Sequence, residues 1–212
     1  MGSVFAKQFS KNLAKPNSGL TGWYIASGLV RTNKVLEVNA ARLCKIQPHH
    51  DILEVGFGPG LGIREAYTFL KDGTGQIYGI DISPRMVKLA TDNMKEEIAV
   101  GKVHINLGDV ENMPFKDNMF DSIFHTNCYY FWPDIDKSIK ELHRVIKHKG
   151  PIVTTLNLSR LNQLDKKNLM QYGIYDPDRY MSALQRNGFE NVHMKDITDT
   201  ITFQAIIATA RK

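Results

Sequence analysis

Glycine occupies every second position over residues 56–62, at the end of the stretch 52–62, which reads ILEVGFGPGLG. An apolar run containing Glu54 leads into four glycines, Gly56, Gly58, Gly60 and Gly62. A short run of Ile, Leu and Val is typical of a parallel strand that is buried on both faces. Glycines directly after such a strand let the backbone approach a ligand closely. The stretch therefore predicts a strand, a tight loop and a helix in succession.

The spacing of these glycines argues against a dinucleotide-binding loop. The G-x-G-x-x-G fingerprint would place its last glycine at Leu61 if it began at Gly56, or at Ile63 if it began at Gly58. Neither position is glycine, so nicotinamide chemistry is disfavoured. A tight turn without any ligand is the alternative interpretation of the loop taken alone.

A second apolar run, QIYGIDI at residues 76–82, ends on an acid. In an open α/β sheet a carboxylate at the carboxyl end of the second strand can accept hydrogen bonds from both ribose hydroxyls. Asp81 has this position. Its other possible role is to anchor the next helix, but Ser83 and Pro84 already supply a cap and a first-turn proline. We therefore favour Asp81 as a ribose ligand.

Two further strands are predicted to end in polar or aromatic residues. Residues 103–107 lead into Gly108 and Asp109, and residues 120–126 (FDSIFHT) lead into NCYYFWPD at 127–134. Ligands of open α/β sheets collect outside the carboxyl ends of the strands near the topological switch point. The aromatic segment should therefore face a bound ligand.

Together these motifs resemble class I S-adenosylmethionine (SAM)-dependent methyltransferases, and the resemblance covers about residues 35–212. It implies SAM as cofactor and S-adenosylhomocysteine as product, with the glycine loop against the methionine and ribose. Asp109 would accept from the adenine amino group while Val110 donates from its backbone. The implied cofactor-binding residues are Glu54, Gly56, Gly58, Gly60, Asp81, Ile82, Asp109, Val110, Thr126 and Asn127.

The alternation of strands and helices predicts an α/β fold with a doubly wound, mainly parallel sheet. The resemblance implies seven strands, one of them antiparallel in the edge region. Strands are predicted at 52–57, 76–81, 103–107, 119–126, 151–157, 189–197 and 201–210. Helices are predicted at 34–46, 61–71, 84–99, 134–147, 159–170 and 177–187.

Catalytic residues are less defined, because the methyl group of SAM is already activated and placement of the acceptor is the main task. Tyr129 and Tyr130 could stabilise the sulfonium through cation–π contact, or one of them could fill the core. His125 could be a general base, although a packed histidine is favoured. The sequence does not determine which alternate residues of the fourth strand face the cleft. Cys128 is disfavoured as a nucleophile, because direct transfer needs no covalent enzyme intermediate.

Composition limits the remaining possibilities. The chain has 212 residues, of which 42% are hydrophobic and 23% charged, enough for one sizeable core. No apolar run is long enough to span a membrane, no signal peptide is evident, and the two cysteines show no metal or disulfide spacing. A cytoplasmic protein without a metal site is expected. The net charge of +5 and the run HRVIKHK at 143–149 allow a nucleic-acid hypothesis, but a basic helix end is favoured.

The first part of the chain, residues 1–33, is basic, but PNSGLTGWYIASGLV at 16–30 is too apolar for a simple tail. It resembles leaders of small bacterial methyltransferases that can fold over the cofactor as a lid, ahead of a methyltransferase domain at 34–212. Trp23 and Tyr24 would then contact the acceptor. Packing on the outer helices is an equal alternative.

The sequence thus predicts a SAM-dependent methyltransferase acting on an oxygen, nitrogen or sulfur atom of a small molecule. The segment TNCYYFWPD lacks the (D/N)-P-P-(Y/F) motif of enzymes that methylate adenine or glutamine. An NAD(P)-dependent oxidoreductase and a catalytically silent SAM-binding or interaction domain are the alternatives.

Overall fold

The computed structural model describes residues 6–7, 10–11 and 33–212, and its centre is one seven-stranded sheet. The spatial order of the strands is β3-β2-β1-β4-β5-β7-β6. The strands are β1 (Asp51–Val55), β2 (Gln76–Asp81), β3 (Val103–Leu107), β4 (Ser122–Thr126), β5 (Pro151–Leu156), β6 (Phe189–Thr198) and β7 (Thr202–Ala210).

Helices follow β1, β2, β4 and β5 and cover both faces of the sheet, whereas the described connection from β3 to β4 contains no helix. Residues 33–43 form α1, which precedes β1. The helices that follow are α2 (Leu61–Leu70), α3 (Pro84–Asn93), α4 (Lys95–Ala99), α5 (Ile135–Val145), α6 (Leu158–Lys166) and α7 (Pro177–Arg186). A short 3-10 helix spans Tyr129–Phe131.

The pairing of the strands confirms the predicted fold class. Strands β3, β2, β1, β4 and β5 are parallel to one another, whereas β7 is antiparallel to both β5 and β6. The chain therefore forms a doubly wound, mainly parallel sheet with one antiparallel strand, which belongs to the closing hairpin.

Two apolar clusters lie on opposite faces of the sheet. One contains α2 residues such as Ile63 and Leu70, and the other contains α5 residues such as Ile139 and Leu142. The chain thus leaves β1 toward one face and β4 toward the other. Because β1 and β4 are neighbours, the connections after them diverge and leave a crevice at their carboxyl ends.

Two predicted elements differ from the structure. The helix predicted at 84–99 is broken at Met94, which lies between α3 and α4, because its backbone is not helical (φ −129°, ψ 34°); its side chain is buried. The strand predicted at 119–126 begins only at Ser122, and Phe120 is joined to Ile146 by an isolated bridge.

Arg144, in the basic run at 143–149, binds other parts of the same chain. Arg144 donates to the carbonyl oxygens of Phe115 (2.7 Å) and Met113 (3.1 Å) and forms ion pairs with Glu141 and Asp117 (2.8 Å each). These bonds hold the loop that follows β3. In the described part of the chain, no helix has the length and apolar character needed to cross a bilayer.

Replacing Arg144 by Met should destabilise the protein by about 2 kcal/mol, because hydrogen bonds to a charged group contribute roughly 1.5–3 kcal/mol and this side chain is partly exposed. Chemical denaturation would measure the loss. Lys140→Met, an exposed position on the same helix, is the control and should change stability little. Equal stability of the two variants would contradict a structural role for Arg144.

Candidate functional site

A cavity of about 300 Å³ lies at the carboxyl ends of the parallel strands. It is bordered by the loops after β1, β2, β3 and β4, by α1 and by α6. The lining residues are Asn33, Glu37, Val55, Gly56, Gly58, Pro59, Ile80, Asp81, Ile82, Met86, Gly108, Asp109, Val110, Thr126, Asn127, Cys128, Tyr130, Phe131, Trp132, Pro133, Asn157, Arg160, Leu161, Leu164 and Met170.

The glycine loop after β1 presents its backbone to this cavity. Gly58 has a φ of +53°, and a Cβ built on it would meet no atom within 4 Å. A side chain there would therefore be strained and would project into open space. Gly56 also lines the cavity, whereas Gly60 does not and instead faces Met94 and Ala90.

Gly62 leaves room for a buried carboxyl group. A Cβ at this position would collide with Oε1 of Glu54, the penultimate residue of β1, which is 1% exposed. Oε2 of Glu54 has no hydrogen-bond partner among the described residues. Glu54 thus lies under the start of α2, behind the cavity rather than in its wall.

A second buried acid, Glu37, comes from α1 and does line the cavity. Its Oε2 accepts a hydrogen bond from the backbone N–H of Gly62 at 3.3 Å. Burial, with a smaller contribution from the charge of Asp81, raises the pKa of Glu37 to about 8. Burial and the charges of Glu37 and Asp81 also raise the pKa of Glu54 well above its ordinary value. Acidic groups are therefore concentrated at this end of the cavity.

Asp81 joins the loops that follow β1 and β2. One of its carboxylate oxygens accepts from the N–H of Gly58 at 2.9 Å, and the other accepts from the N–H of Ser83 at 2.8 Å. Ser83 also caps α3 by accepting from the N–H of Met86, as predicted. Asp81 therefore combines an anchoring role with a position in the cavity wall.

The loop after β3 provides the far wall. Asp109 and Val110 both line the cavity, and Oδ1 of Asp109 accepts from the N–H of Glu111 at 3.0 Å. Ile82, which is 43% exposed, lies in the same part of the wall. The predicted adenine-side residues are thus brought together.

The end of β4 anchors α1 over the cavity. Thr126 is hydrogen-bonded to Thr155 at 2.8 Å, and Thr155 donates to the carbonyl oxygen of Leu36 in α1 at 3.2 Å. Asn127 has a φ of +51° and donates from its amide to Asn33 at 3.2 Å. Oδ1 of Asn127 is buried without a hydrogen-bond partner in the described part of the chain, which leaves an acceptor for a ligand.

The two predicted tyrosines have different environments. Tyr130 lines the cavity, and burial raises the pKa of its hydroxyl well above the ordinary value. Tyr129 is 1% exposed, stacks on Tyr180 at 4.3 Å and donates to the carbonyl oxygen of Tyr175 at 3.1 Å. Phe131 and Trp132 join Tyr130 in the wall, while Tyr129 supports the segment from behind.

His125 lies in the core behind the cavity. Its Nε2 is 2.7 Å from the hydroxyl of Tyr180 and 2.8 Å from Oγ1 of Thr154, and its Nδ1 is 3.4 Å from Sγ of Cys128. Burial lowers the pKa of His125 to about 3, so the ring is neutral at physiological pH. His125 is therefore a packed histidine, the alternative that the sequence favoured although strand parity left its orientation open.

Several wall residues were not predicted from the sequence. They are Asn33, Glu37, Asn157, Arg160, Leu161, Leu164 and Met170. Glu37 and Arg160 look like ordinary charged residues of surface helices, and only the N-cap Asn157 gives a local signal for the start of α6. Trp23 and Tyr24 lie outside the described residues. Within the described part, no group of three or more metal-binding side chains is found.

Comparison with known proteins identifies similar chains. A family model described as a methyltransferase domain matches residues 53–154. The chain is 30% identical over 164 residues to the uncharacterized methyltransferase YdaC of Bacillus subtilis, covering 76% of this chain and 82% of that protein. The chain spans only 25% and 41% of the length of two other curated methyltransferases that it matches.

Solved structures share the fold. The complex of the Haloferax volcanii Trm112 methyltransferase activator with a methyltransferase matches with a TM-score of 0.74 and 16% identity, covering 88% of this chain and 93% of that one. Phosphoethanolamine N-methyltransferase 2 of Haemonchus contortus, with phosphomonomethylethanolamine and S-adenosylhomocysteine, matches with a TM-score of 0.65 and 14% identity, covering 99% and 57%.

Gly58→Ala should weaken binding of S-adenosylhomocysteine at least tenfold, because the added methyl group would project into the cavity. Gly101→Ala is a matched control, since Gly101 also has a positive φ and open space around it but lies outside the cavity wall. Both variants should lose about 1 kcal/mol of stability through backbone strain. Calorimetric titration that gives equal affinities for the two would contradict contact between the loop and the ligand.

Glu37→Gln should change the pH dependence of stability. The unfolded chain ionises Glu37 near 4.5, whereas the folded chain does so near pH 8. Between these values only the folded state holds the proton, so wild-type stability falls as pH rises, by up to about 1.4 kcal/mol per unit. The variant lacks this loss and should gain most, relative to wild type, at about pH 8 and above.

Thermal unfolding across this pH range would measure the difference, with Glu190→Gln on the exposed face of β6 as the control. A Glu37→Gln curve parallel to the wild-type curve would show that Glu37 ionises at its ordinary pKa.

Proposed function

Since this chain belongs to the class I SAM-dependent methyltransferases, we propose that it transfers the methyl group to an oxygen, nitrogen or sulfur atom of a small molecule. The observation that carries the proposal is the division of one cavity into two chemically different parts. Acids and the glycine loop border one part, and aromatic and aliphatic side chains border the other. A cationic cofactor and a partly apolar acceptor would fit side by side.

The cofactor part of the cavity has the groups that SAM requires. SAM carries a sulfonium and an ammonium charge but only one carboxylate, so it is a net cation. Glu37, Asp81 and Asp109 line this part, and the unpartnered Oδ1 of Asn127 can accept from an ammonium group. Buried acceptors without partners favour a ligand that donates hydrogen bonds.

We assign the parts of the cofactor to these residues as follows. Asp81, with Ile82 beside it, would hold the ribose, because its carboxylate lies in the cavity wall at the carboxyl end of β2. Asp109 and Val110 would hold the adenine. The backbone of Gly56 and Gly58, with Thr126 and Asn127, would border the methionine end.

Glu54 and Gly60 would act indirectly in this arrangement. Glu54 lies behind the loop, beneath the start of α2, while Gly60 allows the loop to pack on α3. Neither residue lines the cavity.

When bound, SAM supplies a methyl group activated by the sulfonium charge. The protein then has to orient the acceptor and exclude water. Tyr130, Phe131 and Trp132 would do both, since their rings form a continuous wall. Tyr130 keeps its proton because its pKa is raised, so it would serve as a hydrogen-bond donor or an aromatic face rather than a base. His125 and Tyr129 support this wall from the core.

We also propose that residues 1–33 fold over the cofactor as a lid. Within the described residues, Ser10 is buried and its hydroxyl accepts from the N–H of Tyr172 at 3.3 Å. Tyr172 belongs to the connection after α6, in which Ile174 donates to the carbonyl oxygen of Tyr130 at 3.0 Å. Ser10 therefore contacts the same connection that supports the acceptor wall.

A small-molecule acceptor agrees with the Haemonchus contortus enzyme, which is solved with phosphomonomethylethanolamine. The free thiols of Cys44 and Cys128 suit a reducing cytoplasm, which is our proposed location.

Calorimetric titration with S-adenosylhomocysteine, NAD and NADP tests the cofactor. We expect binding of S-adenosylhomocysteine at about micromolar Kd and no binding of the nicotinamide cofactors. A panel of small acceptors with methyl-labelled SAM then tests transfer, with boiled protein as the control. Binding of NAD or NADP alone would overturn the proposal, and SAM binding without transfer to any small acceptor would remove its acceptor part.

A further inference from the structure

The ionisable side chains that line the cavity are divided by sign. Glu37, Asp81 and Asp109 lie on the side formed by α1 and the ends of β2 and β3. Arg160, on α6, is the cation of the described wall, and it lies among the aliphatic residues of the opposite side. The side that faces the proposed acceptor therefore carries a positive charge.

Arg160 has no structural partner in the described part of the chain. Its backbone N–H is capped by Oδ1 of Asn157 at 2.9 Å, but no hydrogen bond or ion pair engages its guanidinium. Arg42, Arg144 and Arg186 each form an ion pair with a nearby acid, whereas the described side chains give Arg160 none, as they give the exposed Arg179 none. The positive charge of Arg160 acts on the ring of Tyr130, whose pKa it lowers against the larger effect of burial.

Arg160 itself is exposed to solvent, and the residues beside it in the cavity wall are apolar. Leu161 and Met170 are each 4% exposed, and Leu164 lies one turn further along α6. With Phe131 they form a wall that suits a hydrocarbon or aromatic body. An anionic group on a ligand that covers this wall would lie within reach of the Arg160 guanidinium. The guanidinium would not have to break another hydrogen bond of the described residues to bind it.

We propose that the acceptor is an amphiphilic anion, with an apolar or aromatic body against the Leu161 wall and an oxyanion held by Arg160. This inference rests on the proposed function and narrows its substrate class. Guanidinium binds carboxylate, sulfonate and phosphate oxygens through paired hydrogen bonds, so the shared chemistry is the oxyanion. Arg160 is a specificity residue in this scheme, because it selects the charge of the acceptor.

Two dyes that differ only in charge provide the test. 8-Anilinonaphthalene-1-sulfonate is an aromatic oxyanion, and N-phenyl-1-naphthylamine is the same ring system without the sulfonate. Fluorescence titration of the full chain with each dye, in the presence of S-adenosylhomocysteine, separates charge from apolar contact. Arg160→Gln is the test variant, and Arg179→Gln, on the exposed part of α7, is the control.

We expect Arg160→Gln to weaken binding of the sulfonate dye roughly tenfold and to leave the neutral dye within about twofold of wild type. Arg179→Gln should leave both dyes unchanged, and Arg160→Lys should recover part of the lost affinity. Leu164→Gln should weaken both dyes, which locates them at the wall.

Equal losses for the two dyes in Arg160→Gln, or no loss for either, would overturn the inference. A fall in S-adenosylhomocysteine affinity of that variant would also overturn it, since Arg160 would then serve the cofactor. If wild-type protein fails to bind S-adenosylhomocysteine, the proposed function fails, while the difference between the dyes, measured without that ligand, still decides whether Arg160 selects an oxyanion.

Discussion

The cavity exists because neighbouring parallel strands send their chains to opposite faces of the sheet. The chain leaves β1 toward α2 and leaves β4 toward α5, and these helices pack on different faces. Parallel strands are joined by crossovers that leave the sheet, so the connections after β1 and β4 cannot close the gap between them. The crevice is therefore a consequence of strand order, and side chains from several strand ends meet in it.

A concentration of buried carboxyl groups is the main energetic cost of this site. Burial and the charge of Asp81 raise the pKa values of Glu37 and Glu54, and Gly62 is required for Glu54 to fit beneath α2. Such an arrangement destabilises the unliganded fold and favours a cationic ligand. Stability and affinity are thus opposed at the same residues, as is common for binding sites.

Local sequence signals located most of the strands and loops. The predicted strand at 103–107 has the bounds of β3, and the other predicted strands match observed ones to within a few residues. Met94 was missed as a helix break because no local pattern marks its non-helical backbone. The sequence also did not predict that Tyr130 lines the cavity while Tyr129 packs in the core. Both lie in a short 3-10 helix, which follows neither strand nor α-helix periodicity.

The sequence by itself determined the order of strands and helices, the glycine loop and the chemical character of each strand end, because these depend on short-range pattern and backbone conformation. Only the tertiary structure decided that α1 brings Glu37 to the acids, that α6 brings Arg160 to the aromatic wall, and that His125 faces the core. These placements depend on contacts between residues far apart in the chain. Burial and charge interactions at those contacts, which no local pattern encodes, set the chemistry of the site.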